Sequence, residues 1–355
     1  MEGLIQMPYD ATVKLMLSSL ERNLLPDAVV RRLTRLLLGV RLRWGYKLSA
    51  ELQLSQLLQF VHSLKEMPIA VQTEKPKEQH YEVPTSFFRL ALGKHLKYSC
   101  CYFSDKGSTL EDAEAAMLEL YCERSELKDG QTVLDIGCGW GSLVLYIASK
   151  YSNCKVTGIC NSTTQKAFIE DQCRDRQLQN VEIHVADISK FEMEASFDRI
   201  YSIEMFEHMK NYRDLLGKIS KWMKQDGRLF VHHFCHKVFP YHFEDTQEED
   251  WLARYFFSGG TMPSANLLLY FQVKFRSISQ FGSRFRQPGS LFEEWLKRMD
   301  KNMGSIKPIM ESTYGKDQAV KWTVYWRTFF MAVAELFRYN NGEEWLVALY
   351  LFKKK

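Results

Sequence analysis

The amino-acid sequence predicts an α/β protein built on a mostly parallel sheet. Five short segments rich in valine and isoleucine, TVLDI, KVTGIC, VEIHVADI, DRIYSI and RLFVHHF, are separated by helical or polar stretches. Such strand–helix alternation is typical of a sheet covered by helices on both faces. A glycine-rich loop follows the first segment, and open sheets of this kind bind ligands at the carboxyl ends of their strands. We therefore expect the functional residues at those ends.

The first 75 residues or so are predicted to be helical. Val13, Leu17, Leu20 and Leu24 repeat at helical spacing, and a second such series occupies 54–61. The stretch RRLTRLLLGVRLRWGYK carries six positive charges and no negative one. It is typical of an amphipathic helix with a solvated basic face, and contact with an anionic membrane surface is the alternative. The polar segment QTEKPKEQ (72–79) predicts a linker.

After Phe239 the alternation stops. An acidic stretch (242–251), a turn (258–264) and long aromatic-rich helices follow. The last segment, EEWLVALYLFKKK, has the apolar content of a final strand.

Composition excludes several classes of protein. The chain has 355 residues and a net charge of +4, which is too mild to indicate nucleic-acid binding. We expect no membrane partner, because no apolar run approaches the roughly 18 residues of a membrane span and the N-terminus does not resemble a signal peptide. The eight cysteines form no CxxC pair, so free thiols and a cytoplasmic location are expected.

The loop DIGCGWG follows the first predicted strand directly. Gly137, Gly139 and Gly141 permit positive φ angles and a close approach of a ligand to the backbone. A dinucleotide site reads GxGxxG, whereas this loop reads GxGxG with Asp135 before it, which suits a ligand without a pyrophosphate. The loop resembles the S-adenosylmethionine loop of Rossmann-like methyltransferases. A tight turn without a ligand is the alternative.

The next two strand ends also carry polar residues. Asn161 ends the second strand, where its amide can both donate to and accept from ribose hydroxyls. Gln165 is either part of an S-x-x-Q helix capping box or a cofactor contact. Asp187 and Ile188 end the third strand, where methyltransferases bind the adenine, and a surface aspartate in a turn is the alternative.

The fourth strand runs into the segment EMFEH. Glu204, Glu207 and His208 have the spacing that places side chains on one face of a helical turn. Two carboxylates and an imidazole together can bind a cation and take its proton. A solvated helix start, with glutamates favoured by the helix dipole, is the alternative.

The segment HHFCHK on the fifth strand is rich in potential metal ligands. A zinc site needs a second cluster, which the sequence does not contain, so we predict no metal. Alternating packing along the strand is expected instead, with one of His232 and His233 reaching the active site.

Together these motifs resemble the plant alkaloid N-methyltransferases of the coclaurine N-methyltransferase type. The segments DIGCGWGSL, TGICNS, NVEIHVADISKFE, SIEMFEHMKNY, LFVHHFCHK and EWLKRMD carry the resemblance, which runs from about Arg43 onward. These enzymes are similar to cyclopropane fatty acid synthases. The segment DWLARYFFSGGTMPSANLLLYF is closer to relatives that act on phenylalkylamines.

The resemblance implies a class I Rossmann-like methyltransferase fold and an S-adenosylmethionine cofactor. It divides the chain into an N-terminal helical region with a pocket lid (1–110), a cofactor-binding core (111–238) and a helical substrate cap with the final strands (239–355). The implied cofactor contacts are Tyr81, Ser99, Asp135, Gly137, Gly139, Asn161, Gln165, Asp187, Ile188 and Ile203. The implied substrate contacts are Glu82, Phe257 and Trp326, and the implied catalytic residues are Glu204, Glu207 and His208.

The implied reaction is direct transfer of a methyl group to the nitrogen of a small aromatic alkylamine. In this scheme Glu207 binds the amine, and His208 is the base or shares that role with Glu204. The alternatives are a lipid methyltransferase of the cyclopropane synthase type and a non-catalytic cofactor-binding protein. We expect a monomer or a homodimer without a nucleic-acid partner.

Overall fold

The computed structural model describes residues 2–71, 83–105, 107–246, 250–283 and 288–355. Within these residues, seven strands form one sheet in the order β3-β2-β1-β4-β5-β9-β8. The strands from β3 to β5 are parallel, and β9 is antiparallel to both of its neighbours. The predicted α/β fold is therefore confirmed. The bounds of the sheet strands are β1 Thr132–Ile136, β2 Lys155–Cys160, β3 Val181–Val185, β4 Phe197–Ile203, β5 Met223–His236, β8 Phe275–Ser283 and β9 Trp345–Lys354.

Helices cover the sheet and extend the chain on either side of it. The described helices are α1 Glu2–Glu21, α2 Asp27–Gly45, α3 Ala50–Glu66, α4 Thr85–Ala91, α5 Leu110–Arg124, α6 Ser142–Lys150, α7 Thr163–Asp175, α8 Tyr212–Lys221, α9 Trp251–Tyr255, α10 Pro288–Lys301, α11 Met303–Tyr314 and α12 Lys316–Arg338. A small second sheet pairs β6 Tyr241–His242 with β7 Thr261–Met262.

Two strands differ from the sequence-based prediction. The third strand ends at Val185, so Asp187 and Ile188 lie in the loop that follows it. The edge strand β8 is not predicted, because its sequence FRSISQFGS has one isoleucine and two phenylalanines among small and polar residues and does not form the apolar run of the buried strands. Parallel pairing of β3, β2, β1 and β4 brings their carboxyl ends to one edge of the sheet.

The N-terminal helices pack against two different parts of the molecule. α2 packs against α12, and its Arg31 donates to Glu293 of α10 at 2.6 and 2.9 Å and to Glu335 of α12 at 3.0 Å. α3 packs against α8 on the central sheet, so the two helices belong to different layers. The three-part division of the chain stays a prediction, and the predicted linker at 72–79 lies outside the described residues.

The basic stretch forms the helix α2 and part of the loop after it. Its Arg31, Arg35 and Arg41 pair with acidic residues elsewhere in the chain. Within the part of the chain that the structure describes, none of the helices combines the length and apolarity that crossing a bilayer requires. All eight cysteines are buried free thiols, as the sequence predicts.

Candidate active site

The glycine loop connects β1 to α6 with three left-handed residues. Gly137, Gly139 and Gly141 have φ angles of +82°, +53° and +75°. A Cβ atom on Gly137 would lie 2.8 Å from Met205, and one on Gly141 would lie 2.6 Å from Ile169, so packing requires glycine at both positions. A Cβ on Gly139 would meet nothing within 4 Å. Gly139 therefore faces open space that a ligand can occupy.

Two buried polar atoms on the elements that flank this loop lack hydrogen-bond partners among the described residues. One is Oδ1 of Asp135 at the end of β1, and the other is Nε2 of Gln165 in the first turn of α7. Burial raises the pKa of Asp135 to about 7, and nearby Lys97 lowers it in part. Buried polar groups normally have partners, so these two atoms fit a polar ligand. Asp135 Oδ1 can accept from an ammonium group of that ligand, and Gln165 Nε2 can donate to one of its oxygen or nitrogen acceptors.

Gln165 satisfies half of the predicted capping box. Its backbone N–H donates to Ser162 Oγ at 3.3 Å, while its side-chain Nε2 makes no hydrogen bond within the described chain. The amide group is therefore available for the alternative role, a contact with the cofactor.

The other predicted cofactor residues occupy the same edge of the sheet. Asn161 and Ile203 are half-buried at the ends of β2 and β4. Asp187 accepts hydrogen bonds from Ser189 N and Oγ at 2.9 and 2.7 Å through one carboxylate oxygen, so it does sit in a turn. Ile188 is buried in the core. Tyr81 and Glu82 lie outside the described residues.

The segment after β4 differs from the expected helical face. Glu204 has a φ of +50°, and only Phe206–His208 form a short 3₁₀ turn. A left-handed residue ends the strand and reverses the chain, so the helical spacing does not apply. Glu204 and His208 line a cavity, whereas Glu207 lies behind its wall and accepts a hydrogen bond from Phe234 N at 2.7 Å.

Burial sets the charge of these three groups. Burial and the charge of Glu204 raise the pKa of Glu207 well above its usual range, which disfavours the charged form of its carboxyl group. Burial lowers the pKa of His208 to about 4, so its imidazole is neutral. Although burial alone raises the pKa of Glu204, the hydrogen bond from His232 and the nearby charge of Lys97 lower it overall. Glu204 is therefore the ionised member of the group.

The cavity that Glu204 and His208 line encloses about 740 Å³, part of which is open to solvent. Its remaining wall is mainly aromatic and aliphatic, with rings from Tyr98, Phe234, Phe243, Phe257, Phe292, Trp295, Phe329 and Phe337. The ring of Phe257 is nearly parallel to those of His208, at 6.1 Å, and Phe243, at 4.9 Å. The predicted substrate residue Phe257 is thus part of the wall. Trp326 is fully buried behind it and packs against Phe256 and Phe329.

Sequence reasoning missed two residues beneath this cavity. Lys97 and Tyr121 are fully buried and connect to Glu204 through His232, whose Nε2 lies 3.1 Å from Glu204 Oε1. A single lysine in a loop and a tyrosine in a helix carry no motif that distinguishes them. The expected alternation on β5 is present, since the next residue, His233, stacks on Tyr350 instead.

The chain is similar to characterised enzymes along its whole length. The model of the mycolic acid cyclopropane synthetase family matches residues 70–343. The (S)-coclaurine N-methyltransferase of Thalictrum flavum subsp. glaucum is 48% identical over 100% of this chain and 99% of that protein. The pavine N-methyltransferase of the same plant is 45% identical over 96% of each.

Solved structures give the same relationship. A crystal structure of coclaurine N-methyltransferase bound to N-methylheliamine and SAH has a TM-score of 0.94 and 46% identity, and the match covers 97% of this chain and 100% of that one. The cyclopropane synthase MmaA2 of Mycobacterium tuberculosis has a TM-score of 0.67 and 23% identity over 80% of this chain and 99% of that one, and it shares the fold. These matches confirm the Rossmann-like methyltransferase fold and the S-adenosylmethionine cofactor. The chain belongs to the mycolic acid cyclopropane synthetase family, and within it to the S-adenosylmethionine-dependent amine N-methyltransferases.

Proposed function

We propose that this enzyme methylates the nitrogen of a benzylisoquinoline or a related arylalkylamine. One observation carries the proposal: an ionised carboxylate, Glu204, and a neutral imidazole, His208, share the wall of an otherwise largely aromatic and aliphatic cavity. Aromatic walls accommodate an aryl group and interact favourably with a cation through their ring faces. The names of the similar plant enzymes support the alkaloid class.

We propose that the cofactor lies along the carboxyl edge of β1 to β4. Asp135 would accept a hydrogen bond from an ammonium group, Gln165 would donate its free amide hydrogens, and Gly139 would leave room for the ligand. Asn161 and Asp187 would bind hydroxyl and amino groups farther along the edge. S-adenosylmethionine supplies an electrophilic sulfonium methyl group when bound. The further proposed contacts are Tyr81, Ser99, Gly137, Ile188 and Ile203.

The substrate must lose a proton before its nitrogen can attack. An alkylamine with a lysine-like pKa of about 10.4 is neutral in only about one molecule in 1,000 at about pH 7.4, a penalty of roughly 4 kcal/mol. In our proposal Glu204 binds the ammonium form, and the neutral imidazole of His208 accepts the proton. The negative charge of Glu204 raises the pKa of His208 and so stabilises the imidazolium.

The geometry favours Glu204 over Glu207 for binding the ammonium group. Glu207 lies behind the cavity wall, and burial raises the pKa of its carboxyl group and so disfavours the charged form. We propose that Glu207 supports the strand end at Phe234, while Phe257 contacts substrate and Trp326 supports the wall. Glu82 stays a predicted substrate contact.

We also propose a cellular location and an oligomeric state for the enzyme. We propose a cytoplasmic enzyme, because eight buried free thiols suit a reducing compartment. A monomer or a homodimer is proposed for its assembly.

A substrate panel tests the proposal. Purified protein with labelled cofactor would be assayed against benzylisoquinolines, phenylalkylamines and vesicles of an unsaturated phospholipid, with and without bicarbonate. We expect N-methylated amine as the product. Bicarbonate should not change the rate, because Cys100 N and His232 already interact with the Glu204 carboxylate. A cyclopropane product from the vesicles, or a clear dependence on bicarbonate, would favour the lipid alternative.

A further inference from the structure

Lys97 is a fully buried lysine whose three ammonium protons all have acceptors. Its Nζ lies 2.5 Å from Ser99 Oγ, 2.7 Å from the Cys100 carbonyl oxygen and 3.0 Å from Tyr121 Oη. A lysine ammonium group has three donors and no acceptor. Tyr121 Oη must therefore accept the hydrogen bond from Lys97.

This constraint passes along the chain of hydrogen bonds. Tyr121 has one hydroxyl proton, and its oxygen already accepts from Lys97, so the proton points to His232 Nδ1 at 2.5 Å. Nδ1 is then an acceptor, and the remaining imidazole proton is on Nε2. Nε2 lies 3.1 Å from Glu204 Oε1, within ion-pair distance, so its proton interacts electrostatically with the carboxylate. The backbone N–H of Cys100 donates to the same oxygen at 2.9 Å.

We propose that Lys97, Tyr121 and His232 are positioning residues that orient the Glu204 carboxylate for amine binding. Lys97 fixes the direction of the Tyr121 hydroxyl, and that hydroxyl fixes the tautomer of His232. The inference rests on the proposed role of Glu204. It adds that this role depends on a buried cation three hydrogen bonds away from the cavity.

The surroundings of Glu204 explain why such support is needed. Burial alone raises the pKa of Glu204, and contact with His232, the charge of Lys97 and the backbone N–H of Cys100 lower it. Titratable groups from four parts of the chain face Glu204. They are Lys97, Cys100 and Cys101 from the loop before α5, Tyr121 from α5, His232 and His233 from β5, and Glu207 and His208 from the turn after β4. Of these, Lys97 is the lysine, and its charge lowers the pKa of Glu204.

Tyr121→Phe tests the network, because it removes one hydroxyl group and keeps the ring. The pH dependence of kcat/KM for the amine would be compared in wild type and variant. We expect the acidic limb to move upward by about one pH unit, since Glu204 loses an oriented donor, and the deficit to shrink toward alkaline pH. Binding of SAH should not change. A defect that is merely structural would lower the rate by the same factor at every pH.

Tyr201→Phe is the matched control. Tyr201 is also a fully buried tyrosine that contacts Phe230, but its hydroxyl bonds to Ser125 Oγ at 2.5 Å and has no link to Glu204. Its pH profile should match that of wild type. If Tyr121→Phe also keeps the wild-type profile while Glu204→Gln is impaired, the network proposal is overturned and the proposed function stands. If Glu204→Gln is fully active, both are overturned.

The tautomer of His232 gives a readout that does not depend on the folding of any variant. In ¹⁵N-histidine-labelled wild-type protein, we expect the nitrogen shifts of the neutral Nε2–H form for His232. The Nδ1–H form would contradict the proposal, because Nδ1 could then not accept from Tyr121.

Discussion

At the scale of single residues, Gly139 is the position where a side chain would compete with the cofactor. We predict that Gly139→Val abolishes binding of S-adenosylmethionine, because the added methyl groups would enter the open space beside the loop. Calorimetry with SAH measures the effect. Gly130→Val is a matched control, since Gly130 also has a positive φ, +84°, and open space at its Cβ but lies in the turn before β1.

The two variants separate backbone strain from the loss of ligand space. A valine in a left-handed conformation is strained at either position. Both variants should therefore lose stability, and only Gly139→Val should lose the cofactor. Equal affinities for SAH would exclude this loop as the cofactor site.

The proposed proton acceptor makes a prediction that depends on pH. We expect His208→Ala to lower kcat by about 10²-fold near neutral pH, the usual scale for a general base. Alkali supplies neutral amine without help, so the gap to wild type should narrow between about pH 7 and about pH 10. A constant gap would indicate that His208 positions the substrate instead.

The two glutamates should respond differently to the same substitution. Glu204→Gln removes the charge that holds the ammonium group, so KM for the amine should rise strongly. Glu207→Gln replaces a carboxyl group whose charged form burial disfavours with a neutral amide whose oxygen can still accept from Phe234 N, so kcat and KM should change little. Steady-state kinetics of both variants decide the assignment. A larger KM effect for Glu207→Gln would return the ammonium site to that residue.

At the residue level, the sequence offers candidates only where a motif carries the information. The glycine loop and the segment EMFEH have recognisable patterns, and both lie at the sheet edge where ligands bind. Lys97 and Tyr121 could not be found, because their role depends on one buried chain of hydrogen bonds between a loop, α5 and β5. Glu207 lies behind the cavity wall because Glu204 has a positive φ angle. The helical spacing of the sequence does not indicate such a backbone angle.

At the scale of secondary-structure elements, Asn211 joins the end of α3 to the start of α8. Its Oδ1 accepts from Asp214 N at 3.1 Å as the N-cap of α8, and its Nδ2 donates to the carbonyl oxygens of Lys65 and Met67 at 3.1 and 2.9 Å. The same side chain thus satisfies groups at two helix ends.

We predict that Asn211→Asp lowers the free energy of unfolding by about 1–3 kcal/mol. Aspartate keeps the capping acceptor but removes the donor to the Met67 carbonyl oxygen and leaves the Lys65 carbonyl oxygen with Arg213 as its side-chain donor. Denaturant unfolding followed by circular dichroism measures the change. Asn23→Asp is the control, because Asn23 is an exposed surface residue. Equal stabilities for Asn211→Asp and wild type would show that the amide donors do not hold α3 in place.

The elements themselves were predictable to different degrees. The bounds of β1 and β2 match the prediction, because both strands are apolar runs bounded by polar or glycine residues. The edge strand β8 pairs on one side only, so its sequence is not constrained to be apolar on both faces. Periodicity in a single segment cannot reveal that kind of strand.

At the scale of the whole molecule, buried histidines set the response to acid. Burial lowers the pKa of His208, His233, His236 and His242 to about 4 each, below the ordinary value of 6.5. Between these values the unfolded chain binds protons that the folded chain does not, so stability falls as the pH drops from about 6.5 to about 4. The buried carboxyl groups of Asp135, Glu114 and Glu207 have raised pKa values and act in the opposite direction.

Because the two sets of groups act in opposite directions, we predict how the pH dependence of Tm between about pH 7 and about pH 5 changes when one histidine is replaced. Calorimetry over this range measures it. His233→Asn keeps a donor for the Phe234 carbonyl oxygen, which His233 Nδ1 contacts at 2.9 Å, and removes one titrating group. Its Tm should fall less steeply with acid than that of wild type. An unchanged slope would show that His233 does not contribute to acid sensitivity.

The central position of β9 has a consequence for biosynthesis. β9 is translated after every other strand of the sheet, yet it lies between β5 and β8 and pairs with both. During synthesis on the ribosome, β5 therefore keeps an open edge and β8 has no neighbour in the sheet until Trp345–Lys354 emerge. Unpaired edges promote aggregation and recognition by chaperones. A chain that stops before Trp345 would leave the edges of β5 and β8 unpaired. A premature stop codon just before Trp345 should therefore give a protein that the cell degrades.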